Sequence, residues 1–148
     1  MVGREIPGPH ARVLITSAIW IYHFESHTQF GAAAGKVIRN LEAGKFRGVA
    51  SELILLELTV RPLHLARQDV ADEYELLLDH FPNLELVPVT REILSLAAGI
   101  RARHRLRTPD AIQVATALQM GATLAITNDD AWRTVPVIET IILSDLTE

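Results

Sequence analysis

The chain has 148 residues, 49% of them apolar, and a formal net charge of −4. That size suits one domain with a sizeable buried core, and the acidic balance excludes a globally basic surface, so any nucleic-acid contact must use a local patch. The absence of cysteine excludes disulfides and thiolate metal sites and makes a cytoplasmic protein the expectation.

The first ten residues, with Gly3, Pro7, Gly8 and Pro9, read as a flexible N-terminal arm, and residues 11–148 as the domain. Residues 12–16 (RVLIT) predict a buried strand, and Ser17 predicts the cap of a helix that ends near Ser26. The apolar run over 13–24 is too short to span a membrane and has no small-residue cleavage site after it. Residues 31–43 form a second predicted helix with an apolar stripe of Val37, Ile38 and Leu41, ended by Gly44. A strand over 46–50 follows, with Ser51 as the next cap. Residues 52–60 (ELILLELTV) are apolar almost all round, which predicts a buried helix closed by Pro62.

A solvated acidic helix over 67–81, a strand over 84–87 and a helix from the Thr90 cap to about Arg103 come next. Thr108 and Pro109 then predict a helix start, Gly121 its end, residues 123–126 a buried strand and residues 137–143 a last strand. Strands alternate with helices throughout. The expected fold is α/β: three layers, with a mostly parallel sheet covered on both faces.

Glu57 lies inside the apolar helix, where an unpaired carboxylate would cost several kcal/mol. An arginine, a shared proton or a metal ion must compensate it, or the side chain must reach solvent. Asp110, in the first turn of its helix, has an ordinary role in favouring the helix dipole. Asp129 or Asp130 would equally cap a short helix containing Trp132. Together, acids at strand ends and helix starts of one small α/β domain suggest a Mg²⁺ or Mn²⁺ site, because hard cations take carboxylate and water oxygens. Just before Asp110 lies RARHRLR, which places Arg101, Arg103, Arg105 and Arg107 together in an otherwise acidic chain. This segment is either a solvated helix end or a phosphate-holding rim. Neither a glycine-rich phosphate loop nor a G-x-S-x-G elbow is present.

Three segments, LITSAIWIYHFE, SELILLELTVRP and RTPDAIQVATALQMGATLAITND, resemble the PIN domain in order and spacing, and most of all its VapC-like toxins. The resemblance covers nearly all of the chain after Arg12. It implies a Mg²⁺- or Mn²⁺-dependent endoribonuclease, the toxin of a toxin–antitoxin pair, with an RNA substrate, an antitoxin partner and a homodimeric state. By motif, the family's catalytic and metal-binding acids fall on Glu57, Asp110 and Asp129, with Ser17 and Thr127 as polar neighbours. One departure stands out: the family's first strand ends in an aspartate before Thr-Ser, whereas this strand reads Val13-Leu14-Ile15-Thr16-Ser17. Either Ile15 replaces the aspartate or the aspartate is deleted. Weakened metal binding follows in both cases, and the alternative is an inactive PIN module that binds RNA or an antitoxin. A receiver-like regulator, also small and doubly wound, needs an acidic pair around the first strand, and none is there.

Overall fold

The computed structural model describes residues 8–146, so most of the expected N-terminal arm, residues 1–7, lies outside the described residues, as do residues 147 and 148. Five strands, β1 (Arg12–Ile15), β2 (Arg47–Ser51), β3 (Leu84–Val87), β4 (Leu124–Thr127) and β5 (Glu139–Ile142), form one sheet in the order β3-β2-β1-β4-β5. Every pairing is parallel.

The helices between them are α1 (Ser17–Phe24), α2 (Gly31–Glu42), α3 (Leu53–His64), α4 (Gln68–Asp79), α5 (Arg91–Arg103) and α6 (Thr108–Gln119). Alternation along the strands sends side chains to two cores. Val13, Ile15 and Ile126 meet Ile19 and Trp20 of α1, Leu41 of α2 and Ile54 and Leu58 of α3 on one face. Leu14, Val49 and Ala125 meet Ile93 and Ile100 of α5 and Ala111 and Val114 of α6 on the other. This is the expected three-layer architecture. Ala111, Ala115 and Ala117 are fully buried, and such small residues let α6 lie close against the sheet.

The chain runs outward from β1 through β2 to β3, then crosses to β4 on the far side of β1. The strand order therefore reverses between β1 and β4. In parallel sheets the crevice beyond the carboxyl ends of such a pair is where ligands bind.

Several local expectations are corrected. Thr16, not Ser17, is the N-cap of α1, and Arg107, not Thr108, that of α6; neither makes a side-chain capping bond. Thr90 does cap α5 as expected, accepting from the Ile93 N–H, whereas Glu52, not Ser51, is the N-cap of α3, and the Ser51 hydroxyl accepts the Leu53 N–H from one position before it. Pro62 does not close α3: it lies buried inside a helix that continues to His64. Pro62 falls in the helix's last turns, where little helix remains to be broken. Nor is α3 buried all round, because Leu56, Val60 and Leu63, spaced at helical intervals, form an exposed apolar stripe. α2 and α6 are followed by Gly44 and Gly121 at φ +77° and +71°, the left-handed conformation that glycine adopts without strain.

Candidate active site at the strand switch

β1 and β4 are tied together at their carboxyl ends. Thr16 donates to the Ile126 carbonyl through both its N–H, at 3.2 Å, and its hydroxyl, at 3.0 Å. The next residue, Ser17, donates its backbone N–H to Gln113 Oε1 at 3.2 Å, which links the start of α1 to the first half of α6. On the β4 side, the Thr127 hydroxyl accepts the Asp129 N–H at 3.3 Å, and Asp129 Oδ1 accepts the Ala131 N–H at 2.9 Å. Asp129 thus caps the short 3-10 turn at Asp130–Thr134.

Three elements deliver acids to this edge. Asp110 is buried, in the first turn of α6, where the positive helix end favours it. Burial pushes its carboxyl above the ordinary range; the Arg107 guanidinium opposes this, the Asp129 charge adds to it, and the Trp132 indole opposes it again. Glu57, half-buried on α3, is also raised, first by burial. The Ser17 hydroxyl opposes that shift, the Asp110 charge adds to it, and Arg107 opposes it. The Asp129 charge thus raises Asp110, and the Asp110 charge raises Glu57. Among the described residues, however, no three carboxylate or imidazole groups are grouped to hold one ion.

Two buried polar atoms at this edge lack a hydrogen bond: Glu57 Oε1 and Trp132 Nε1. The Trp132 N–H acts on the Asp110 carboxylate, and the Ser17 hydroxyl on Glu57, but neither contact closes into a well-formed bond with the orphaned atom. A buried acceptor without a donor is unusual and needs a compensating group. Asp130, by contrast, is exposed and paired with Arg133 at 3.0 Å, whereas the Asp129 charge acts on Asp110.

Ile15 holds the last position of β1, in unbroken register with Ile126, and is fully buried. It brings an apolar group where an acid would add oxygen ligands. The arginines divide by role. Arg101 donates to the Leu106 carbonyl at 3.0 Å and so braces the turn. Arg107 pairs with Asp110, Nε to Oδ2, at 3.3 Å. Arg103 and Arg105 are exposed beside them.

Gln113 and Trp132 are the site residues that sequence reasoning missed. Gln113 carried a signal: it follows Asp110 by three residues, on the same face of an otherwise uncharged helix. For Trp132 none existed, because its indole is aimed by the turn after β4.

The PIN domain family model matches residues 13–138. Among solved structures, the fold is similar to VapC20 of Mycobacterium tuberculosis, a sarcin–ricin-loop-cleaving toxin, at 16% identity with a TM-score of 0.69, covering 86% of this chain and 97% of that one. It is similar to a toxin–antitoxin complex from Klebsiella pneumoniae at 19% identity with a TM-score of 0.68, covering 88% and 97%. FitAcB of Neisseria gonorrhoeae gives 14% identity with a TM-score of 0.67, covering 89% and 98%. No curated protein matches the chain. Because the family model covers residues 13–138, most of the chain, this chain belongs to the PIN domain family.

Proposed function

We propose that this chain is a divalent-metal-dependent endoribonuclease of the VapC toxin kind, a single PIN unit over residues 11–148, working in the cytoplasm with reduced metal affinity. The observation that carries this reading is the buried Glu57 Oε1, which lacks a hydrogen bond in a side chain that also feels the Asp110 charge. Mg²⁺ or Mn²⁺ fits such an edge, since it takes hard oxygens, binds through one or two carboxylates and keeps several waters. Glu57 and Asp110 would hold it, with Asp129 completing the set from the β4 side. When bound, the ion supplies an activated water and neutralises charge on the phosphodiester.

The chain's own residues do the rest. Gln113 fixes the start of α1 against α6, so that the Ser17 hydroxyl stays beside Glu57. Arg103 and Arg105 are placed to hold flanking phosphates. The exposed apolar residues Leu56, Val60 and Leu63 on α3, with Leu76 and Leu77 on α4, are a surface that an antitoxin or a second copy would cover. The similarity to a toxin–antitoxin complex supports such partners. Among the described residues, no helix is long and apolar enough to cross a membrane.

Ile15 favours a second reading, an inactive PIN module that binds RNA or an antitoxin, because full burial of an apolar residue there removes a ligand. Incubating the protein with single-stranded RNA and Mn²⁺, with and without chelator, separates the two. Toxin activity predicts cleavage that chelator abolishes and that Asp110→Asn lowers by roughly a hundredfold or more, given that even outer-shell changes at metal sites cost 10–100-fold. RNA binding without cleavage selects the inactive module.

A further inference from the structure

Arg107 stands apart from the other arginines of its segment. Its Nε lies 3.3 Å from Asp110 Oδ2, its side chain is 78% exposed, and the Asp110 side chain is only 12% exposed. The same guanidinium also acts on Glu57. Glu57 and Asp110 together carry two negative charges when ionised, and Arg107 supplies one positive charge. We propose that Arg107 is the resident counter-ion of this acidic edge, occupying Asp110 until a divalent cation displaces it. The inference rests on the nuclease reading and deepens it by naming what the cation must compete with.

A guanidinium and a divalent ion on one carboxylate repel each other strongly at a few ångströms in a partly buried site. Loading through Asp110 must therefore push Arg107 out. The exposed side chain can leave without unfolding anything, and once released it is free to meet a phosphate. With Ile15 adding no charge, the edge attracts a cation less, so a single competing guanidinium weighs more heavily here than beside a fuller acid set.

Calorimetric titration with MnCl₂, without RNA, tests this on the wild type, Arg107→Gln and Arg105→Gln. Arg105 is exposed and lies two residues away, so its substitution removes the same formal charge from the same segment. Arg107→Gln should bind Mn²⁺ roughly three- to tenfold more tightly, the net scale of one ordinary hydrogen bond, as suits a largely exposed guanidinium. Arg105→Gln should change affinity by less than about twofold, as expected for a screened surface charge. Equal or weaker binding by Arg107→Gln, or the same gain in Arg105→Gln, overturns the proposal while leaving the nuclease reading standing. If none of the three proteins binds Mn²⁺, both fall.

Discussion

Ser17 donates its backbone N–H to Gln113 Oε1 at 3.2 Å, and this one bond fastens the end of β1 to the helix that carries Asp110. The two residues are 96 positions apart, and Gln113 is almost fully buried. Replacing Gln113 with Leu would keep the volume and leave the Ser17 N–H without its acceptor. Stability should fall by about 1–3 kcal/mol, the cost of an unsatisfied buried donor. Urea unfolding measures this; a change within about 0.5 kcal/mol would mean the bond does not hold the edge together.

Glu57 and Asp110 are both raised, Glu57 first by burial and then by the Asp110 charge. A carboxyl with a raised folded-state pKa binds more protons folded than unfolded. Its stabilising contribution is full below the ordinary carboxylate range and is lost as pH rises through the raised value. The metal-free protein should therefore lose stability from this pair as pH climbs through and beyond that range. Glu57→Gln should match the wild type in acid and exceed it at neutral pH. Thermal melts in metal-free buffer across pH 4–8 are the check, and a pH-independent difference between the two proteins contradicts it.

Much of the fold was legible because periodicity and punctuation agreed. Residues 84–87 read as a strand and are β3, and Thr90 caps α5 as its position suggested. Around α3 the reading failed for two reasons. A proline late in a helix removes one N–H donor without ending the helix, so Pro62 stayed inside. An all-round apolar helix also looks the same whether the fold or another molecule covers it, so the exposure of Leu56 and Val60 could not be read in advance. Glu57 was legible as a carboxylate in the wrong company. Gln113 and Trp132 join the site only through packing between distant segments, which one sequence does not display.

Ile15 is fully buried at the end of β1. Ile15→Asp should destabilise the metal-free protein by several kcal/mol, as an unpaired buried charge does. It should also tighten Mn²⁺ binding by adding a ligand charge. Melting temperature with and without Mn²⁺ shows both effects: a drop in the free protein and a larger rise on adding metal than the wild type gives. A substituted protein that melts low and ignores Mn²⁺ would show that the acid cannot be restored at this position.

Arg103 and Arg105 are exposed beside the site. Substituting both with Gln should weaken single-stranded RNA binding and flatten its dependence on salt by roughly 0.7 per lost phosphate contact. Binding titrations between 50 and 200 mM salt supply the slope. An unchanged slope removes these arginines from the RNA surface.

In the proposed mechanism, Glu57 and Asp110 share a divalent ion at the switch between β1 and β4. Diffraction from crystals soaked in Mn²⁺, with its anomalous signal, tests it most directly. One strong peak is expected within about 2–2.5 Å of an oxygen of each carboxylate, with waters filling the remaining positions. A peak elsewhere, or none at millimolar Mn²⁺ with Arg107 still on Asp110, would contradict it.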